Sequence, residues 1–340
     1  MHMGINFRWT KKNAVLATVM VILTATIPFI DSGSAWKNGS YAYNSASYSY
    51  SDDFGTHDWV AEAALNALYS VDKSNWQWLM DRKTIFLVGT EAPDNSGVSM
   101  TLDGTAVSGF GDTTKHHIYF NEDGTISNNE DDAAIRAKTV GDLADVAMDA
   151  DKYDLAAFYL GTMTHYIADM GVFCHVAENN VAPHYLDFDK NHTEFEDYVG
   201  SRTNNHANPE EFFQIASFSI NSTTPYNAAK NLAWDTYKDP TGSHDAKYLY
   251  DNFFGSWVLT FAARSGDSSE HRTYYNRVEQ NLNNAIAACA AAINSALGIG
   301  STGNTGVTDG MPAYPLPIFV AFATIAMLGL IGRKSRKISK

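Results

Sequence analysis

The chain has 340 residues and a formal net charge of −14 at pH 7, which is long enough to bury one large core or two small ones. The acidic balance argues against tight, general binding to nucleic-acid backbones, because that binding needs a basic surface. It does not exclude an enzyme whose metal ions make the phosphate contacts. We therefore expect no stable nucleic-acid complex, and we expect a monomer.

The first 35 residues predict a secretory signal peptide. A positively charged start precedes an apolar run at 14–30, and small residues at 33–35 suit cleavage. An uncleaved membrane anchor is the alternative. Cleavage after Ala35 would make Trp36 the N-terminus of the secreted protein.

The other end of the chain predicts attachment to a membrane. The apolar segment 315–332 is long enough for a short transmembrane helix, and the basic tail 333–340 favours the cytoplasmic side. The segment 298–314 predicts a flexible stalk. We therefore expect secretion across the cytoplasmic membrane and anchoring at its extracellular face. A sorting signal that is clipped and replaced by another anchor is the alternative.

Residues 36–297 predict an all-α fold. Apolar residues recur with a helical period in most of this range, and no run alternates as strands do. After an extended lead-in at 36–55, Thr56 is predicted to cap a first helix. A Gly/Ser/Thr-rich loop is predicted at 97–111. The further predicted helices span 75–88, 131–149, 153–176, 191–199, 212–218, 228–237, 246–263 and 269–297.

The chain has two cysteines, Cys174 and Cys289. A location outside the cell permits a disulfide, but a single pair gives no framework. We predict that both are buried as small apolar residues, with a disulfide as the alternative.

Two pairs of metal-binding residue types occur close together in the chain. His165 and Asp169 are four apart, as are His192 and Glu196, so each pair shares one face of a helix. Ten helical residues complete nearly three turns, which would bring His175 near His165. His, Asp and Glu are ligands that zinc takes, and the apolar flanks leave buried charges in need of a partner. The set predicts a zinc site.

An earlier segment offers an acid followed by two histidines. Asp94 lies in a turn, and His116 and His117 follow the predicted loop. Between the two histidines, His117 is the preferred ligand and His116 the alternative. Glu91 is the alternative to Asp94, and His184 is a possible competitor.

With these residues in view, the chain resembles the zinc-dependent phospholipase C family, which is related to the single-strand-specific zinc nucleases. The resemblance covers 36–196 and beyond that rests on helical character alone. It implies a single multi-helix domain of that type. The match is carried, in order, by Trp36, by His57 with Trp59, by Asp94 with His117, and by His165, Asp169, His175, His192 and Glu196.

The resemblance implies up to three zinc ions. A free N-terminal amine ligates metal only when deprotonated, so signal cleavage would create one of the ligands. The implied ligands are Asp94, His117, His165 and Asp169 for one ion; His175, His192 and Glu196 for a second; and Trp36, His57 and a shared Asp169 for a third.

The resemblance also implies hydrolysis of phospholipid headgroup phosphodiesters through a metal-activated water. Asp94 would act as a ligand or as a general base. Asn95 stands where lipases of this family carry an aromatic headgroup contact, which leaves recognition of choline open. The alternatives are a zinc-dependent single-strand nuclease or phosphomonoesterase and, from another class, a surface-anchored binding protein with structural zinc.

Overall fold

The computed structural model describes residues 55–121, 123–127, 130–177, 195–196, 199–200, 203, 215–240, 245 and 269–298. The predicted signal peptide, transmembrane segment and basic tail lie outside these residues, as does the predicted stalk after its first residue, Gly298. So do the predicted helix at 246–263 and the residues Trp36, His184 and His192.

The described chain is rich in helices, as predicted, and it also contains one β-hairpin. The helices are α1 (Thr56–Val71), α2 (Lys73–Met80), α3 (Lys83–Glu91), α4 (Asp132–Asp149), α5 (Tyr153–Ala168), α6 (Phe173–Val176), α7 (Pro225–Lys238) and α8 (Ser269–Ala296). The strands are β1 (Ser99–Leu102) and β2 (Thr105–Ser108), which pair antiparallel. Within the described segments, no helix is long and apolar enough to cross a membrane.

Helix α5 lies at the centre of the fold. Every residue from Leu155 to Ala168 is buried, which is expected of a helix that is apolar on all sides. It packs most extensively against α4 and α3. At the α3–α5 crossing, a Cβ atom on Gly161 would lie only 1.8 Å from the carbonyl oxygen of Phe86. Glycine therefore permits a close backbone approach here.

The prediction of one continuous helix over 153–176 is wrong. Helix α5 ends at Ala168, a 3₁₀ turn spans Asp169–Gly171, and the short helix α6 follows. The amide of Val172 bonds to the carbonyl of Asp169 at 2.9 Å, and Asn281 of α8 donates to the carbonyl of Gly171 at 3.1 Å. These bonds satisfy backbone groups that a longer helix would use internally.

The hairpin occupies the segment predicted as a loop. Its turn residues Asp103 and Gly104 have φ angles of 47° and 74°, the left-handed pair that a two-residue hairpin turn requires. A carboxylate oxygen of Asp103 accepts from the amides of Asp154 and Leu155 at 2.9 and 3.1 Å. The hairpin thus supplies the cap at the start of α5.

Three further helix predictions need correction. Gly55, not Thr56, is the N-cap of α1, because the amide of Gly55 donates to the Asp58 carboxylate. The predicted helix 75–88 is divided into α2 and α3. Residues 215–218 are not helical.

The other predictions that fall on described residues agree with the fold. The predicted helices 131–149, 228–237 and 269–297 correspond to α4, α7 and α8. Cys174 and Cys289 are both buried and do not form a disulfide, so the disulfide alternative is wrong.

Candidate metal centre

Asp169 lies at the centre of a buried cluster of four histidines. Its Oδ1 atom is 3.3 Å from His57 Nε2 and 3.9 Å from His175 Nδ1. Its Oδ2 atom is 2.9 Å from His116 Nδ1 and 3.3 Å from His165 Nε2. Four separate parts of the chain therefore direct an imidazole at a single carboxylate.

Asp94 approaches the same cluster from the turn after α3. Its Oδ1 atom lies 3.3 Å from His116 Nδ1 and 3.7 Å from His165 Nε2. Two groups of side chains have one ligand atom each within 4.8 Å of one another: His57, His165 and Asp169, and Asp94, His116 and His165. His165 belongs to both groups, so the two candidate positions adjoin.

A third group begins at His175. Its Nε2 atom is 3.7 Å from Glu196 Oε1, and both side chains are buried. His175 thus lies between Asp169 and Glu196.

The structure brings His116, and not His117, into the cluster. His116 is only 1% exposed. The half-buried ring of His117 stacks on Tyr119 at 4.9 Å between centroids and lies 4.7 Å from the ring of His175. His117 therefore lies beside the cluster, with its neighbour in the position expected for it. Glu91 is buried but belongs to neither group of three found among the described residues.

The polar atoms of the cluster fit a bound cation better than they fit one another. Both ring nitrogens of His57 and both carboxylate oxygens of Asp169 are buried without a hydrogen-bond partner among the described residues. Leaving such groups uncompensated is costly. A metal ion would satisfy several at once, and the set of imidazole nitrogens and carboxylate oxygens is one that zinc takes.

The protonation of two central groups also suits a metal. Burial, and next the neighbouring His165, lower the pKa of His57 to about 4. Burial alone would raise the pKa of Asp169, but His165, His57, His175 and His116 hold it well below its usual value. A neutral imidazole and an ionised carboxylate are the forms that ligate zinc.

His116 differs from His57 in its charge environment. Burial lowers its pKa, but Asp94, Asp112 and Asp169 outweigh burial and raise that pKa well above 6.5. The surroundings of this ring therefore carry an excess of negative charge. A cation at the cluster would compensate that charge in place of the proton.

A backbone carbonyl of helix α3 fixes the orientation of the His165 ring. Its Nδ1 atom donates to the carbonyl of Thr90 at 2.6 Å, which leaves Nε2 facing the carboxylates. The ring also stacks on His57 with centroids 3.8 Å apart. A hydrogen bond to the far nitrogen is how proteins usually orient a histidine ligand. Neither the Thr90 carbonyl nor Asp112 was a candidate from the sequence; the one signal was the spacing of Asp112, four residues before His116.

One of three comparisons with known proteins identifies a family. A family model described as "Zinc dependent phospholipase C" matches residues 56–252, a range that contains every described residue of the cluster. Two similar solved structures are the alpha toxin from Clostridium absonum (TM-score 0.45, 18% identity, covering 75% of this chain and 67% of that one) and the Clostridium perfringens alpha-toxin isolated from avian strain SWCP (TM-score 0.44, 18% identity, 80% and 68%). A search of curated proteins gave no match.

Proposed function

Because this chain belongs to the zinc-dependent phospholipase C family, we propose that it cleaves the headgroup phosphodiester of phospholipids outside the cytoplasm. Membership of the family makes the chain a zinc-dependent hydrolase. One observation carries the proposal to particular residues: Asp169 is buried, and four histidine nitrogens lie 2.9–3.9 Å from its two oxygens.

The proposed centre holds up to three zinc ions. His116 is taken in place of His117 because its Nδ1 atom lies 3.3 Å from Asp94 and 2.9 Å from Asp169. The proposed ligands are Asp94, His116, His165 and Asp169 for one ion; His57, Asp169 and the amine of Trp36 for another; and His175, His192 and Glu196 for a third.

These residues would hold zinc, which would supply a clamp for the phosphodiester and a water whose pKa is lowered to about 7. The side chains of this chain supply the rest. Asp94 reaches the edge of the cluster, with its side chain 9% exposed, and is the carboxylate best situated to accept a proton from the attacking water. Asp169, which is fully buried, holds the four histidines that approach its carboxylate in their orientation. The Thr90 carbonyl holds the proton of His165 on Nδ1, so Nε2 stays available.

The proposed location follows from the two ends of the chain. A signal peptide at 1–35 would be removed, leaving the free amine of Trp36 as a ligand, and the segment 315–332 would anchor the enzyme at the extracellular face. Amino-terminal sequencing of the secreted protein tests the first point. A terminus other than Trp36 would contradict the assignment of that amine.

The activity is tested with the secreted, processed protein and mixed phospholipid vesicles. Soluble phosphorylated headgroup should be released with zinc present and not after chelation, and Asp169→Asn should release none. The headgroup released names the specificity. Cleavage of single-stranded DNA or of a phosphomonoester without headgroup release would contradict the proposal and favour the nuclease or phosphatase alternative. Retained zinc without any hydrolysis would favour the structural role.

A further inference from the structure

His116 presents its two ring nitrogens to different carboxylates. Its Nδ1 atom faces the cluster, 2.9 Å from Asp169 and 3.3 Å from Asp94. Its Nε2 atom faces the opposite way, 3.7 Å from Oδ1 of Asp112. Asp112 belongs to neither group of possible metal ligands among the described residues. It therefore lies outside the cluster, behind the ring of His116.

Asp112 is held in this position by three elements. The hydroxyl of Tyr166, on α5, donates to its Oδ1 atom at 2.7 Å. Arg136 of α4 forms an ion pair with its Oδ2 atom at 2.8 Å. Its own amide donates to the carbonyl of Pro93 at 3.0 Å, in the turn that carries Asp94. The carboxylate is thus fixed relative to both sides of the cluster.

The far nitrogen of His116 needs an acceptor. An imidazole that binds metal through Nδ1 carries its proton on Nε2. In His116 that atom is buried and has no hydrogen-bond partner among the described residues. A buried N–H without an acceptor is costly. Asp112 is the carboxylate that faces it, and a small rotation of the ring would bring the two atoms within bonding distance.

We propose that Asp112 is a positioning residue for the metal centre, which accepts the Nε2 proton of His116 and so aims Nδ1 at the ion. The inference rests on the proposed role of His116 as a ligand. Tyr166 and Arg136 belong to the same device because they hold the carboxylate. A charged acceptor makes an imidazole ligand more basic than a carbonyl acceptor does. His165 donates to the Thr90 carbonyl, so the ring of His116 should be the more basic of the two ligands.

The first test measures zinc affinity of the full chain by competition with a chelator of known affinity. Asp112→Ala should weaken the tightest site that His116 serves by about 10- to 100-fold, the usual effect of removing an outer partner of a ligand. Asp112→Asn should lose less, because an amide oxygen still accepts. The zinc affinity of Tyr166→Phe should lie between those of Asp112→Asn and the wild type.

The matched control is Asp132→Ala. Asp132 is also an acid in an ion pair, 2.8 Å from Lys115, and it lies one turn before Arg136 on α4. It does not contact the cluster, so zinc affinity should be unchanged. Equal affinities for the Asp112 and Asp132 variants would overturn the proposal. Should Asp112→Ala fail to fold, the two milder variants test the proposal. It requires that Asp112→Asn lower the zinc affinity more than Tyr166→Phe does.

A second readout reports the bond itself. With Co²⁺ in place of zinc, the Nε2 proton of His116 should give a paramagnetically shifted proton resonance that exchanges slowly with water. In Asp112→Ala that resonance should broaden or vanish, while Asp132→Ala keeps it. An unchanged set of exchangeable signals would contradict the bond. Both readouts need no phospholipid, so a wild type without lipase activity would overturn the proposed function and leave this inference standing.

Discussion

The two sides of the candidate centre are built by different means. On one side, His165 lies within α5, which is buried from Leu155 to Ala168, and Asp169 directly follows that helix. On the other side, Asp94 and His116 lie in irregular segments held together by backbone hydrogen bonds, such as that from the Phe110 amide to the Ala92 carbonyl at 2.7 Å. Helix packing positions the first side, whereas hydrogen bonds between irregular segments position the second.

The largest effect on zinc content and activity is expected from Asp169→Asn, on the side of the centre formed by α5 and the residue that follows it (the helix side). Asp169 is the only carboxylate that four histidines approach among the described residues. Replacing it should release zinc and lower activity by more than about 100-fold, beyond the loss that an outer partner alone produces. Metal content and headgroup release measure both effects.

The control for Asp169→Asn is Asp142→Asn, at an exposed acid paired with Lys138 on α4. It should leave zinc and activity unchanged. An Asp169→Asn protein that retained its full zinc content would show that the helix side does not bind the metal.

The next largest effect on zinc affinity distinguishes the two adjacent histidines of the irregular segment, His116 and His117. His116→Ala should lower zinc affinity by more than Asp112→Ala does, that is by more than about 10- to 100-fold, because it removes a ligand and not merely an outer partner. His117→Ala should retain zinc, since its ring lies against Tyr119 outside the groups of three. Chelator competition on the two variants provides the comparison. The reverse order of affinities would return the ligand role to His117.

This pair shows where prediction from the sequence ends. Spacing points to His165, Asp169, His175 and Glu196, a turn ahead of two histidines points to Asp94, and only the family resemblance points to His57; the structure does bring these residues together. The predicted placement of His175 on one helix face with His165 is nevertheless wrong, because His175 reaches Asp169 through a break in the helix. In an irregular segment no periodicity decides which of two neighbouring histidines points inward.

The outer contacts were beyond the reach of the sequence for a related reason. The carbonyl of Thr90 has no side-chain signature, and it meets His165 because α3 and α5 approach closely at glycines. Asp112 gains its position from residues 24 and 54 positions away in the chain, Arg136 and Tyr166. Likewise the hairpin was signalled only by one Asp-Gly pair. Contacts between distant segments determine these features.

A third prediction tests how rigidly α3 and α5 hold the helix side. Gly161→Ala would bring a Cβ atom to 1.8 Å from the Phe86 carbonyl oxygen, so the helices must separate. We expect the free energy of unfolding to fall by about 3 kcal/mol, the upper range for overpacking. Zinc affinity should fall too, because the carbonyl of Thr90 would move away from His165. Chemical denaturation and chelator competition measure the two effects.

Gly171→Ala is the matched control for Gly161→Ala. A Cβ atom at Gly171 would meet its nearest neighbour at 3.4 Å, an ordinary contact, so the loss should stay below about 1 kcal/mol. If the two variants were equally stable, close approach of the helices would not be what holds the site.

The smallest loss of stability is expected where the β1–β2 hairpin contacts the start of helix α5. Asp103→Ala removes the acceptor for the amides of Asp154 and Leu155 and should lower the free energy of unfolding by about 1–2 kcal/mol, as for a lost helix cap. Asp103→Asn keeps an acceptor and tolerates the positive φ angle, so it should lose less. Thermal or chemical denaturation of the zinc-free protein measures both. Because the cap lies at the far end of α5 from Asp169, zinc affinity should not change; a parallel loss of zinc would mean that the hairpin and the centre are coupled along the helix.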